Sequence, residues 1–259
     1  MTPDGEETTA LLRRLPGVRV FDLVLLDAGM RTPAMRRLRF GAEGLADLDA
    51  FAGQDLMIEV PAAGQAHFRR RYTIRSLDRD TPAVTLDVVL HGDGPGCAWA
   101  KSIRPGDRVE AIGPRGKIGL APDADWHLFS GDEAALPAIF TMAEALPEGA
   151  CAEILLEVTG AEEEQEPSGA RSDLGVHWLH REGEAGAGTA LQDAIAALPF
   201  PDGRGHAYAF GELRQVAGCR NALLARGLDA SQIDHKAYWR RGTANAAHGE
   251  PQRPETASA

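Results

Sequence analysis

The sequence VTLDVVL at residues 84–90, followed without a break by HGDGPGCAWA at residues 91–100, decides the fold of the first half of the chain. Apolar side chains at the even-numbered positions of the first segment would share one face of a strand, with Thr85 and Asp87 on the other face. Glycines then end the strand, and Pro95 suits the first position of a helix. We therefore expect a strand, a tight turn and a short helix, in that order.

Outward from this junction, short alternating segments interrupted by glycine and proline extend from Val18 to about Leu120. This pattern is typical of a β-barrel or a β-sandwich. After Pro122 the pattern changes to an alternation of strands and helices, which is typical of an α/β domain. The expected strands lie near residues 126–130, 153–158, 176–179 and 207–210, and the expected helices near residues 137–146, 189–198 and 212–226.

The second of these helices carries one apolar stripe at helical spacing, formed by Leu191, Ala194, Ile195 and Leu198. A parallel sheet is the simplest partner for that stripe. The expected fold class is an N-terminal antiparallel β-barrel domain followed by a C-terminal α/β domain with a parallel sheet. The expected divisions are an extension at 1–17, the barrel at 18–122, the α/β domain at 123–243 and a disordered tail at 244–259, with an exposed connection at 161–173.

Composition limits the function classes. The chain has 259 residues, of which 44% are hydrophobic, so it has enough apolar surface for two compact domains. Its net charge of −11 argues against a broad nucleic-acid surface, and an anionic ligand therefore needs a local basic pocket. No apolar run is long enough to cross a bilayer and no leader pattern is present, so we expect a cytoplasmic protein. The three cysteines match neither a zinc nor a CxxC pattern and are expected to be reduced thiols.

The first cluster with chemical content is RRRYTIR at residues 69–75, at the end of an expected barrel strand. An aromatic ring can stack on a flavin, a Thr hydroxyl can hydrogen-bond near flavin N5, and guanidinium groups can bind pyrophosphate oxygens. The alternative is a solvated basic strand with one half-buried tyrosine. The glycine-rich turn at residues 91–100 complements this cluster, because exposed amides at a helix N-terminus bind phosphate. The alternative there is an ordinary connection between a strand and a helix.

Taken in order along the chain, these motifs resemble those of the siderophore-interacting proteins, which are relatives of the ferredoxin–NADP reductases. The resemblance begins with R-x-Y-T-x-R at residues 70–75 and HG…GP…WA at residues 91–100. It covers the chain from about Val18 to Gly242, with several motifs in the family's order. The further segments are PGD at 105–107, GPRG at 113–116, SGDEAALPAI at 130–139, Trp178 with Arg181, Gly211 with Glu212, and YWRRG at 238–242.

The resemblance implies an FAD-binding barrel that is followed by a nicotinamide-binding α/β domain. Carried over residue by residue, the residues on the FAD side are Arg70, Tyr72, Thr73, Arg75, His91, Gly94, Pro95, Gly96, Cys97 and Ala98. Trp99 would pack beneath the turn. The family commonly has Ala-Ser where this chain has Gly96-Cys97, and a thiol is a poorer hydrogen-bond donor than a hydroxyl.

On the nicotinamide side, the resemblance points to two turns between strand and helix and to one aromatic residue. These residues are Gly131, Asp132, Glu133, Ala134, Gly211, Glu212 and Trp239. Ala134 stands where the family often has threonine. The alternatives are that Asp132 and Glu133 cap a helix, that Gly211 serves only a tight turn, and that Trp239 docks the final helix onto the sheet.

The resemblance also implies an enzyme that takes hydride from NADH or NADPH and passes single electrons through FAD to a ferric siderophore. An anionic chelate needs local cations, and the candidates are Arg36, Arg37, Lys236, Arg240 and Arg241, of which Arg36 and Arg37 are weakly placed. No residue is assigned as a catalytic acid or base, no metal site is expected, and the expected state is a monomer. Two other interpretations stay open: a flavin reductase or electron-transfer flavoprotein with a protein acceptor, and a nonenzymatic module that binds flavin or siderophore.

Overall fold

The computed structural model describes residues 19–61, 67–92, 94–169, 174–181 and 183–243. The predicted extension at 1–17 and the predicted tail at 244–259 lie outside these residues. Contacts between Cα atoms divide the chain into two compact units. The first unit contains the described residues of Met1–Leu120, Leu136–Leu146 and Gly160–Arg171, and the second contains those of Ala121–Ala135, Pro147–Thr159 and Ser172–Ala259.

The first unit is built on a curled, antiparallel sheet of seven strands. The strands are β1 (Arg19–Thr32), β2 (Met35–Gly41), β3 (Asp55–Pro61), β4 (His67–Thr73), β5 (Ser76–Asp78), β6 (Ala83–Val89) and β7 (Arg108–Arg115). They are hydrogen-bonded in the order β4-β3-β7-β1-β2-β6-β5. Helix α1 (Pro95–Ser102) follows β6. The predicted succession of strand, turn and helix is confirmed, and so is the antiparallel fold class of this half.

The core of the first unit follows from the period-two pattern of β6. Val84, Leu86 and Val88 are buried on one face of this strand. Trp99 of α1 joins the same core, and its ring stacks on that of Phe40 with the ring centres 6.5 Å apart. The predicted packing role of Trp99 is therefore confirmed.

The second unit contains a parallel sheet of five strands. The strands are β8 (Trp126–Asp132), β9 (Cys151–Val158), β10 (Leu174–His180), β11 (Gly205–Glu212) and β12 (Ile233–Trp239), in the order β10-β9-β8-β11-β12. Inner strands β8 and β11 are buried at every position, which is typical of a parallel sheet. The chain also forms helices α2 (Leu136–Glu144), α3 (Ala190–Ala197) and α4 (Leu213–Ala225). The predicted parallel α/β fold class is confirmed.

The apolar stripe of α3 lies where its spacing predicts. Leu191 and Ile195 are buried, and Ala194 and Leu198 are partly buried against the same cluster. Edge strand β12 was not predicted, because its sequence IDHKAYW mixes polar and apolar residues, and only pairing with β11 makes it a strand. Within the described residues no helix is both long and apolar enough to span a bilayer.

The connection predicted to be exposed at 161–173 is only partly so, and the prediction is wrong for two of its described residues. Glu163 and Pro167 are buried. Glu163 ends a short 3-10 helix (Ala161–Glu163), and its carboxylate accepts hydrogen bonds from the Ala34 amide at 2.8 Å and from the Thr32 hydroxyl. An acidic run is normally solvated, but this carboxylate finds two donors in the turn between β1 and β2, which offset its burial.

Candidate functional site

Three of the residues predicted to face FAD meet where β4 ends beside the start of α1. The Tyr72 ring stacks on Trp99 with the ring centres 5.6 Å apart. A Cβ atom on Gly96 would lie 2.9 Å from the Tyr72 hydroxyl oxygen and 3.4 Å from Cγ of Arg70. Only glycine therefore lets the helix start approach β4 so closely. Burial raises the pKa of the Tyr72 hydroxyl, which is protonated at neutral pH even at the ordinary pKa of tyrosine.

The N-terminus of α1 offers backbone donors that no side chain of the helix uses. Gly94 precedes the helix in an extended conformation without a side-chain cap. The Ala98 amide donates to the Gly94 carbonyl at 3.0 Å, so the amides of Gly96 and Cys97 lie ahead of the helical hydrogen-bond ladder. Amides at a helix start and the neighbouring Arg70 guanidinium group both favour phosphate oxygens. This donor set fits the pyrophosphate of FAD.

Arg75, also predicted on the FAD side, is instead occupied by an acidic partner. Its two terminal nitrogens each donate to the Glu144 carboxylate at 2.6 Å, and one of them also donates to the Ser168 hydroxyl at 3.0 Å. Its Nε lies 3.9 Å from Asp87, and the side chain is 7% exposed. Thr73 is buried at the end of β4, whereas His91 is exposed after β6.

The predicted siderophore contacts of the first unit are Arg36 and Arg37. Both side chains instead form hydrogen bonds within that unit. Arg37 donates twice to the Asp87 carboxylate, both times at 2.7 Å. Arg36 donates to the carbonyl oxygens at the end of α1, namely those of Ala100 at 2.5 Å, Lys101 at 3.0 Å and Ile103 at 3.2 Å. Arg36 therefore clamps the C-terminal end of the helix whose N-terminal end offers the phosphate donors.

In the second unit, the predicted nicotinamide residues meet at the carboxyl ends of the parallel strands. Asp132 ends β8 with 1% of its surface exposed. One carboxylate oxygen accepts from the Ala134 amide at 2.9 Å, and the other accepts from the Glu212 amide at 2.9 Å and from Nε1 of Trp239 at 2.7 Å. Burial raises the pKa of Asp132 to about 7, against these hydrogen bonds, which lower it.

Glu133 and Glu212 serve this edge through contacts inside the second unit. Glu133 is buried, forms an ion pair with Arg181 and accepts from the Thr159 hydroxyl at 3.2 Å. Glu212 caps α4 by accepting from the amides of Arg214 at 2.5 Å and Gln215 at 3.1 Å. The alternative that Asp132 and Glu133 cap a helix agrees with the bonds of Asp132 to the amides after β8, but Glu133 is paired with Arg181 instead, and the helix cap at Glu212 was not predicted.

Three residues at this edge of the sheet, Glu157, Gly186 and Gln215, belong to no motif that the sequence analysis identified. Glu157 of β9 accepts from the Gln215 amide group at 2.9 Å, and its other carboxylate oxygen is buried without a hydrogen-bond partner. A Cβ on Gly186 would lie 2.6 Å from Cγ of Glu212 and 3.2 Å from Cη2 of Trp239. An acidic residue at the carboxyl end of a predicted parallel strand was the only available signal, and it pointed to Glu157.

The basic residues near the C-terminus differ in exposure. Lys236 is 8% exposed, and its ammonium group lies 5.4 Å from the centre of the Tyr238 ring. Arg240 and Arg241 are exposed, and Arg241 forms an ion pair with Glu184. Of the five predicted siderophore contacts, Arg240 and Arg241 are therefore the exposed ones, whereas Lys236 is buried.

Comparisons with known proteins agree on one family. The profile of the siderophore-interacting FAD-binding domain matches residues 48–118, and that of the siderophore-interacting protein matches residues 124–242. The ferric vibriobactin reductase ViuB of Vibrio cholerae is 34% identical over 185 residues, which are 70% of this chain and 68% of that protein.

Solved structures extend the comparison to the fold. The crystal structure of a siderophore utilization protein from T. fusca is 32% identical, with a TM-score of 0.79, and the alignment covers 89% of this chain and 95% of that one. A ferredoxin NADP+ reductase from Neisseria gonorrhoeae with bound FAD and NADP is 14% identical, with a TM-score of 0.64 over 87% of this chain and 100% of that one. The second likeness shows the ferredoxin reductase fold alone.

Proposed function

Because this chain belongs to the siderophore-interacting protein family, we propose that it is an FAD-dependent reductase that transfers electrons from NADH or NADPH to a ferric siderophore. The proposed product is Fe(II), released from the chelate in the cytoplasm. The single observation that carries the proposal is the uncapped N-terminus of α1 beside Arg70, because it lies within the match to the FAD-binding domain and fits a pyrophosphate group.

Three residues of the first unit would hold FAD. The amides of Gly96 and Cys97 and the guanidinium group of Arg70 would bind its phosphates, as charge-assisted hydrogen bonds. Bound FAD would accept a hydride from the nucleotide and donate electrons singly. The Tyr72 hydroxyl, whose pKa burial raises further above neutral pH, would be a hydrogen-bond donor beside these groups. Arg75 would act on the cofactor only indirectly, through its ion pair with Glu144.

In the second unit, the carboxyl edge of the parallel sheet would receive the donor nucleotide. Open α/β sheets bind nucleotides at the carboxyl ends of their strands, and here those ends carry Asp132, Glu212 and Trp239. Trp239 is partly buried and would contact the nucleotide with its ring, while the two carboxylates hold the surrounding backbone.

Arg240 and Arg241 would contact an anionic siderophore, because both residues are exposed, and Arg241 would exchange its exposed ion pair with Glu184 for the chelate. No residue needs to act as an acid or base in the reduction itself. Ferric ion binds hard oxygen ligands far more tightly than ferrous ion, so gain of one electron weakens the chelate and releases the iron.

The reductase cycle can be tested by an anaerobic absorbance titration of the purified protein with bound FAD. We expect NADH or NADPH to bleach the flavin, and a ferric siderophore to restore its absorbance with saturable dependence on the chelate. Ferredoxin and free flavin serve as competing acceptors, and faster reoxidation by either would favour the alternative with another acceptor. A protein that takes up no FAD would contradict the proposal at its base, and one that binds FAD but is not reduced would support a nonenzymatic module.

A further inference from the structure

Asp132 makes contacts that the start of a helix does not require. The amides after β8 use only one of its carboxylate oxygens, at 2.9 Å from Ala134 and 3.3 Å from Ala135. The second oxygen accepts from the Glu212 amide at 2.9 Å and from the Trp239 indole at 2.7 Å. Because the strands lie in the order β8-β11-β12, one buried carboxylate joins the ends of three neighbouring strands.

Two glycines leave room for this arrangement. A Cβ on Gly211 would lie 2.6 Å from Oδ2 of Asp132, and the residue has a φ of 125°, which side chains other than glycine rarely adopt. A Cβ on Gly186 would lie 3.2 Å from Cη2 of Trp239. The five-membered ring of the indole is therefore held at its nitrogen by Asp132, and its six-membered ring is bordered by Gly186 at Cη2.

We propose that Asp132 is a positioning residue, which holds the Trp239 indole in the orientation that receives the donor nucleotide. The inference rests on the proposed function for the contact between Trp239 and a nucleotide, whereas the contacts of Asp132 with the protein are independent of it. Asp132 itself acts through Trp239 and does not touch the reacting atoms.

Protonation of Asp132 should weaken its hydrogen bond with Nε1 of the Trp239 indole. A carboxylate accepts a stronger hydrogen bond than a neutral acid does, and burial brings the pKa of this group to about 7. Three ionisable side chains of the second unit interact electrostatically with Asp132, namely Glu133, Arg181 and the thiol of Cys219. Glu157 lies opposite Asp132 on the neighbouring strand β9, and Glu212 contacts Asp132 through its backbone amide. Glu133 adds negative charge beside Asp132, and its ion pair with Arg181 offsets part of that charge.

The first test needs no turnover. The fluorescence of Trp239 is obtained as the difference between the spectra of the wild type and of Trp239→Phe, measured from pH 5 to 9 on the protein without donor nucleotide. We expect the difference spectrum to titrate with a midpoint of about 7 and the titration to vanish in Asp132→Asn. The matched control is Trp126→Phe, because this buried indole lies at the amino end of the same sheet and its nitrogen has no hydrogen-bond partner. Its difference spectrum should show no such midpoint.

The second test measures anaerobic flavin reduction by NADH and by NADPH in the wild type, Asp132→Asn, Trp239→Phe and the double variant. We expect each single variant to raise the KM of the better donor by about ten- to hundredfold, the range of a lost hydrogen bond to a charged group. The double variant should be no worse than Trp239→Phe alone, because Asp132 acts through the indole. Wild-type KM should fall as the pH rises through 7.

Effects that add in the double variant, or a Trp239 spectrum that does not change between pH 5 and 9, would overturn the inference. If Asp132→Asn does not fold, the comparison of wild type with Trp239→Phe still decides it. A protein that reduces its flavin but no ferric chelate would refute the proposed acceptor and leave both tests in force. If the protein binds no nucleotide, the proposed role of Asp132 in positioning Trp239 for the nucleotide is refuted. The fluorescence titration would then test only the hydrogen bond between Asp132 and Trp239.

Discussion

Arg75 is the site residue for which the sequence and the structure lead to different expectations, and substitution by methionine distinguishes them. The family motif puts Arg75 on the FAD side, where its loss would weaken cofactor binding. In the structure its guanidinium group is paired with Glu144 at two distances of 2.6 Å and also donates to Ser168. Arg75→Met keeps most of the length of the side chain and removes every one of these donors. The first expected effect is therefore on stability.

The size of the effect follows from burial. The Arg75 side chain is 7% exposed and that of Glu144 is 16% exposed, so the substitution removes the guanidinium group from a largely buried carboxylate, to which the Ser168 amide still donates at 2.6 Å. Breaking such a pair from one side costs about 3–5 kcal/mol of unfolding free energy. At roughly 2–4 °C per kcal/mol for chains of this size, the melting temperature should fall by about 6–20 °C. Asp87 contributes little to this loss, because Arg37 still pairs with it.

The assay is thermal unfolding together with FAD titration of the refolded protein. Arg108→Met is the matched control, because Arg108 pairs with Asp22 at 2.6 Å while their side chains are 64% and 67% exposed. That exposed pair should contribute no more than about 1 kcal/mol. Adding Glu144→Met to Arg75→Met should restore part of the stability, because the buried carboxylate that lost its guanidinium group is then gone. An Arg75→Met protein as stable as the Arg108→Met control, but with weakened FAD binding that Glu144→Met does not restore, would refute this reasoning and return Arg75 to the cofactor.

Three other perturbations test the remaining contacts. Gly96→Ala should raise the dissociation constant of FAD about tenfold or more. The new Cβ would lie 2.9 Å from the Tyr72 hydroxyl oxygen, and overpacking costs roughly 1–3 kcal/mol. Unchanged quenching of FAD fluorescence on titration would contradict this prediction. Arg36→Ala should lower stability to thermal unfolding by about 1–3 kcal/mol, because the carbonyls at the end of α1 lose their donors, and Arg36→Lys should recover only part of it. Asp132 releases its proton near 3.8 when unfolded and near 7 when folded, so its stabilising contribution is complete below pH 3.8 and is lost as the pH rises to about 7. Urea unfolding at pH 5 and pH 8 should show that loss, about 4 kcal/mol at most over the full range, in the wild type and not in Asp132→Asn.

The sequence by itself determined the order and the type of the two folds. Apolar residues repeat every two residues in a strand and about every 3.6 residues in a helix, and both patterns involve only nearby residues. The apolar face of β6 and the apolar stripe of α3 could therefore be predicted from the local sequence alone. The turn before α1 was equally local, since glycine and Pro95 restrict the backbone where they stand. The motifs that are distributed along the chain indicated the family, and the family in turn suggested FAD as the cofactor.

Only the tertiary structure decided which charged groups remain available to a ligand. Arg75 meets Glu144 across 69 residues, and Asp132 meets Trp239 across 107 residues. Glu163 lies in an acidic run that reads as solvated, yet it is buried against the turn between β1 and β2. A charged side chain takes whichever partner the packing brings within about 3 Å, and that partner is distant in sequence. The residue types of the site could therefore be predicted from the sequence, but the hydrogen-bond partner of each side chain could not.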